Sequence, residues 1–117
     1  MTTSTQTSLA ERLQISEHEW LLVADVLAKH LANRTVWAFG SRATGLRVKR
    51  FSDLDLAVQG RLTFAERAAL SEAFDEALIS FKVDVVETEL IDADFLRRIQ
   101  PDFVLLQSAS PLDDTAS

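Results

Sequence analysis

The chain contains no cysteine and no tyrosine. Without cysteine, disulfides, thiolate chemistry and Cys-ligated zinc are all excluded. A reducing, cytoplasmic location is compatible with that lack and is the one expected. Only two histidines are present, His18 and His30. Neither stands at a ligand spacing from the other, and both read as surface residues of a helix. No Ser/His/Asp constellation is visible. No apolar run approaches the roughly 20 residues that a membrane span needs. Met1 to Ser8 has no basic start and no apolar stretch, so a secretory signal is not expected there. The phosphate-loop ending Gly-Lys-Ser/Thr is missing, and so is Gly-x-Gly-x-x-Gly. A net charge of −6 argues against a general nucleic-acid binder.

What remains is an ordinary globular composition, 47% hydrophobic and 26% charged over 117 residues. That length supports one core and one domain. The charge is uneven. Arg42, Arg47, Lys49 and Arg50 fall within nine residues, while most of the acid lies later. A local basic loop on an acidic chain suggests a small anionic ligand, although most such loops are simply solvated.

Along the chain, three capping patterns announce helices: Ser8-x-x-Glu11, Ser16-x-x-Glu19 and Thr63-x-x-Glu66. The first predicts only a short turn near Gln14. The second predicts a helix whose apolar face is Trp20, Val23, Ala24, Leu27, Ala28 and Leu31, stopping at Asn33-Arg34. The third predicts a helix to about Ile79, with Phe64, Ala68, Leu70, Ala73, Phe74, Ala77 and Leu78 available for burial. Asp92 is the expected cap of a last helix, Ala93 to Gln100, ended by Pro101. Thr35 to Phe39, Asp53 to Val58 and Phe81 to Val86 read as strands, and Phe103 to Leu106 as a closing strand or core segment. Trp20 and Trp37 read as core. Residues 1–15 are expected to be a flexible N-terminal segment, 16–107 the folded domain and 108–117 a polar tail. The order of elements predicts a small α/β domain, with a mixed sheet of three to four strands and helices packed on it.

In the second strand Leu54, Leu56 and Val58 point one way, and Asp53 and Asp55 the other. The two carboxylates are then roughly 6–7 Å apart along the strand. Like charges on one face destabilise a sheet, so a cation or a basic side chain should compensate them. Hard divalent ions prefer such oxygens. An isolated Asp-x-Asp is more often merely solvated. Two features count against that reading: the pair opens a strand, and Asp84 interrupts the apolar run Val83-Val85-Val86. Aspartate is disfavoured in strands. If the third strand pairs in register with the second, Asp84 reaches the carboxylate face, and three carboxylates can hold two metals about 3.5–4 Å apart. The alternative for Asp84 is an edge residue paired with Lys82 or an arginine. Gly40-Ser41 directly follows the first strand, where glycine permits a sharp turn and close approach to a ligand. Ser41 and Arg42 can add a hydroxyl and a charge there, and Ser52 can orient a carboxylate.

Together Phe39-Gly40-Ser41-Arg42-Ala43-Thr44-Gly45, Ser52-Asp53-Leu54-Asp55-Leu56 and Val83-Asp84-Val85-Val86 resemble the minimal nucleotidyltransferases of the DNA polymerase β-like superfamily. The likeness runs from about Thr35 to Glu87 and, more loosely, on to Leu106. It implies a nucleotidyltransferase fold of the α/β (α+β) type. It implies that Gly40, Ser41, Arg42 and Ser52 hold the nucleotide. It further implies that Asp53, Asp55 and Asp84 bind Mg²⁺, two ions in all, and form the catalytic set, with Asp84 helping to deprotonate the acceptor. One departure stands out: eleven residues separate Ser41 from Asp53, one more than the family's usual spacing. That leaves the roles of Arg47, Lys49 and Arg50 open.

Small members of this kind resemble the antitoxin half of HEPN–MNT toxin–antitoxin pairs. Those antitoxins are protein adenylyltransferases that move AMP from ATP to a tyrosine of the HEPN ribonuclease toxin. The resemblance therefore implies ATP as substrate and a HEPN-family toxin as partner. Because this chain has no tyrosine, a modified tyrosine must lie on another chain. Two other readings stay open: a non-catalytic antitoxin that neutralises by stoichiometric binding, and a nucleotidyltransferase acting on a small molecule.

Overall fold

Reciprocal capping boxes set where three helices begin. Ser8 with Glu11, Ser16 with Glu19 and Thr63 with Glu66 each exchange side-chain and backbone bonds across the first turn. Each cap contributes about 1 kcal/mol. The helices they start are α1 (Leu9–Leu13), α2 (Glu17–His30) and α4 (Phe64–Glu76), with the short α3 (Ser41–Thr44) and α5 (Ala93–Ile99) completing the set. The strands are β1 (Val36–Phe39), β2 (Leu54–Val58), β3 (Val83–Glu87) and β4 (Val104–Gln107). The computed structural model describes residues 8–46, 48 and 52–109. The basic residues Arg47, Lys49 and Arg50 lie outside the described residues, as do 1–7 and most of the polar tail, 110–117.

The four strands form one mixed sheet in the order β3-β2-β1-β4. β1 runs antiparallel to both β2 and β4, and β2 runs parallel to β3. A parallel neighbour needs a crossover, and α4 supplies it. The core lies between one face of the sheet and the helices. Val36, Ala38, Leu54, Leu56 and Val58 are all completely buried there, against Leu13, Val23, Leu27, Leu31, Leu70 and Phe74. The other face is covered only in part. Phe103 stacks on Trp37 at 4.9 Å between centroids, and Phe95 of α5 meets Phe39 edge-on at 6.2 Å. These rings shield the β1 end of that face.

Four local expectations change. Val26, not Ala28, completes the buried stripe of α2, while Ala28 is exposed. Helix α4 ends at Glu76, short of Ile79, because Ala77 turns to extended geometry. The chain is drawn away there by Ser80, whose N–H and hydroxyl donate to the Glu19 carboxylate at 2.8 and 2.7 Å. Phe64 and Leu78, expected in the core, are 87% and 86% exposed. Residues 8–15 are packed rather than loose: Ala10 and Leu13 are buried, and Gln14 caps α1 in left-handed geometry. Leu13→Ala is therefore expected to cost about 2–4 kcal/mol, read as a lower urea midpoint. A truly loose segment would give no measurable change.

Candidate active site

Period two places Asp55 of β2 on the face opposite Leu54 and Leu56. The parallel register then puts Asp84 of β3 directly beside Asp55. Asp53 precedes β2 and is exposed, as is Asp84, while Asp55 is half-buried. The pKa of Asp55 is raised, first by burial and then by the Asp84 and Asp53 charges. Both neighbouring carboxylates thus act on Asp55 across this face.

On the other side of β2, Phe39 pairs with Asp55 and the chain turns at Gly40. Gly40 adopts φ +80° and ψ −160°, a conformation essentially restricted to glycine. A Cβ on Gly40 would lie 2.4 Å from Asp55 Oδ2. The turn leading into α3 therefore touches the carboxylate, and Ser41 heads α3 beside it. Gly40, Ser41, Asp53, Asp55 and Asp84 are brought to one place.

Arg42 is not. Its side chain is 2% exposed and faces inward. Nε donates to the Ser52 carbonyl at 2.9 Å, and Nη1 to the carbonyls of Leu13 and Gln14 at 3.0 and 2.8 Å. The guanidinium lies 5.1 Å from the Phe81 ring centroid. Such a planar fork satisfied by three carbonyls is what makes a buried arginine tolerable. The phosphate-binding role expected of Arg42 is replaced by a structural one: it ties α3 to α1 and to the backbone just before Asp53. Ser52 contributes its carbonyl to this tie.

Glu87, for which no role was read from the sequence, is the other buried charge among the described residues. Its side chain is 2% exposed on the helix side of β3, where it accepts from the Leu62 N–H at 2.7 Å and pairs with Arg67. A glutamate in place of an apolar residue at a core-facing strand position was the available signal. It anchors the start of α4 to β3 and takes no part in the carboxylate face.

The donor set on that face consists of carboxylate oxygens alone, which suits a hard divalent cation such as Mg²⁺. Among the described residues, no group of three or more His, Cys, Asp or Glu side chains closes into a ready ligand cage. Mutual repulsion favours this open spacing. The donors fit such an ion by the chemistry of their oxygens.

A glycine turn pressed against a strand carboxylate, with a second carboxylate in register on the next strand, is an arrangement suited to metal-assisted phosphoryl transfer. The family model for polymerase beta nucleotidyltransferases matches residues 23–111, and this chain belongs to that family. A probable protein adenylyltransferase, MntA of Haemophilus influenzae, is 38% identical over 103 residues, which cover 86% of this chain and 89% of that protein. The fold is shared with a crystallised toxin–antitoxin bound to AMP-PNP, at TM-score 0.61 and 20% identity over 82% of this chain and 78% of that one. It is also shared with a variant MntA–HpeT toxin–antitoxin structure, again at TM-score 0.61 and 20% identity, over 87% and 80% of the two chains.

The raised pKa of Asp55 yields a stability prediction with a definite sign. A carboxyl whose folded pKa lies above its unfolded value contributes stability below the unfolded pKa and loses it as pH rises through the folded one. In metal-free buffer at neutral pH, Asp55→Asn should melt about 2–5 °C above the wild type. The gap should close below about pH 3.5, where Asp55 is protonated in both states. Thermal melts at the two pH values decide the matter, and a variant less stable at neutral pH would contradict the repulsion argument.

Proposed function

We propose that this chain is an antitoxin-type protein adenylyltransferase. It transfers AMP from ATP to a hydroxyl, taken to be a tyrosine, of a cognate HEPN ribonuclease toxin. The observation that carries the reading is the contact of Gly40 with Asp55, with Asp84 in register beside it. The likeness to the H. influenzae adenylyltransferase supports the choice of AMP and of a protein acceptor. The toxin–antitoxin structures with the same fold, one holding AMP-PNP, support ATP and a toxin partner.

In this reading the Gly40–Ser41 turn receives the triphosphate, since the missing Cβ lets the turn's backbone lie directly against the Asp55 carboxylate that shares the site. Asp53, Asp55 and Asp84 would hold Mg²⁺, which when bound supplies Lewis-acid neutralisation of charge on the phosphate oxygens. Asp84 takes the proton of the acceptor hydroxyl. The acceptor oxygen forms a new bond to the α-phosphorus, the α–β bridging bond breaks, and pyrophosphate leaves. Arg42 keeps the turn and the Ser52–Asp53 backbone at a fixed separation. The acceptor lies on another chain, as this one has no tyrosine. No helix among the described residues is long and apolar enough to cross a membrane, and a cytoplasmic setting, where ATP and Mg²⁺ are abundant, is the proposed location.

A second reading is neutralisation by contact alone. It is favoured by the open spacing of the three carboxylates and by the exposed Phe64 and Leu78. Label transfer from α-labelled ATP onto a co-expressed HEPN toxin separates the two. Asp53→Asn and Asp55→Asn should each lower transfer by about 10²-fold or more and abolish neutralisation with it. Variants that still neutralise without transferring label would establish the second reading. Separately, Gly40→Ala should lose ATP binding in calorimetry, because its Cβ collides with Asp55.

A further inference from the structure

Adenylyl transfer brings two substrates to one carboxylate face. Gly40 and Ser41 flank that face on the β1 side of β2, and β3 bounds it on the other. β3 is an edge strand, with no described strand beyond it. Its hydrogen-bond phase can be read directly. The Lys82 carbonyl accepts from the Leu54 N–H at 2.8 Å, and the Thr88 N–H donates to the Val58 carbonyl at 3.0 Å. Lys82, Asp84, Val86 and Thr88 thus turn their backbone groups toward β2. Backbone direction alternates along a strand, so Val83 and Val85 turn theirs outward. The side chains of these valines lie on the helix side and line a groove of about 450 Å³ between α4 and β3, with Leu70 and Phe74 and the polar Arg67, Ser71 and Asp75 on the α4 wall. Asp84 reaches the same groove at the strand edge, while its side chain belongs to the carboxylate face. Leu78, 86% exposed, sits between two further lining residues, Ala77 and Ile79.

We propose that the β3 edge is the acceptor dock. An extended segment of the acceptor protein adds beside β3 as a fifth strand and bonds to the outward backbone of Val83 and Val85. It sets apolar side chains into the groove and carries a hydroxyl residue onto the carboxylate face next to Asp84. This rests on the adenylyl-transfer reading above. Period two then dictates the acceptor's local pattern: a hydroxyl residue flanked on both sides by apolar ones. Main-chain bonds supply the hold, and the groove selects the flanking residues. The bond-making step is the one already described, with pyrophosphate leaving and the hydroxyl proton passing to Asp84.

The test uses two capped peptides, Lys-Val-Tyr-Val-Lys and Lys-Gly-Tyr-Gly-Lys, with the full chain labelled for amide NMR. The valine peptide should shift and protect the Val83 and Val85 amides and bind about tenfold tighter than the glycine peptide. Equal affinities, shifts confined to another surface, or no shift at millimolar peptide would overturn the dock. Two variants probe it from different sides. Ser71→Trp fills the groove from α4, with Ser71→Ala as its control. Val85→Pro removes an outward N–H while sparing the ladder to β2. Either should raise KM for the valine peptide about tenfold with kcat little changed, and an unaltered KM in a folded Ser71→Trp protein would refute the proposal. Failure of the parent reading looks different: the valine peptide would bind at β3 yet gain no label from α-labelled ATP and Mg²⁺.

Discussion

Everything at this site depends on the parallel pairing of β2 with β3. Nearly thirty residues separate Asp55 from Asp84 in the chain, and only the register Asp55 to Asp84 makes them neighbours. A slip of one residue would turn Asp84 into the helix layer and bring Val83 or Val85 to the carboxylate face. The core prevents that slip. Leu54, Leu56 and Val58 are fully buried on the helix side, so the acidic residues between them have nowhere else to point. The cost is electrostatic: burial first, and then the neighbouring Asp84 and Asp53 charges, raise the Asp55 pKa. A fold that accepts such a cost at one place keeps a site ready for a cation or for a proton.

Two buried charges hold the frame around that pairing. Glu87 bonds the Leu62 amide and pairs with Arg67, fixing the crossover helix to the edge strand. Arg42, on α3 before the basic loop, bonds the Ser52 carbonyl after it, and its bonds to the Leu13 and Gln14 carbonyls hold α1 against α3. Neither faces the carboxylates. Both act on geometry, which matters because Gly40 and Asp55 are so close that a single Cβ would not fit between them. A nucleotidyltransferase of this size has little other structure with which to keep those parts in place.

How much of this was legible in the sequence varied with the kind of signal. Capping boxes and strand alternation are local, so the helix starts at Glu17 and Phe64 and the alternation across Leu54–Val58 could be read from neighbouring residues. The acidic trio and the Gly40-Ser41 turn were legible as residue types at suggestive places, and the fold brings Gly40, Asp55 and Asp84 together. Arg42 misled because a basic residue next to a glycine turn looks the same in sequence whether its guanidinium faces a ligand or three backbone carbonyls. Glu87 went unread because its partners, Leu62 and Arg67, come from another element. Phe64 and Leu78 were placed inside because apolar character does not reveal which way a helix end faces.

The amino-acid order alone determined the elements, the face on which Asp53 and Asp55 stand, and the kind of chemistry that carboxylates beside a glycine turn can support. These follow from φ/ψ preferences and from a period of two, which are properties of short stretches. Tertiary structure decided the rest: that Asp84 joins Asp55, that Gly40 touches it, that Arg42 ties α3 to the Ser52 backbone, and that β3 is the edge of the described sheet, beside a groove. Each of these is a distance between residues far apart in the chain. Such distances are set by how the sheet orders its strands and how α4 crosses over it, which no local pattern encodes.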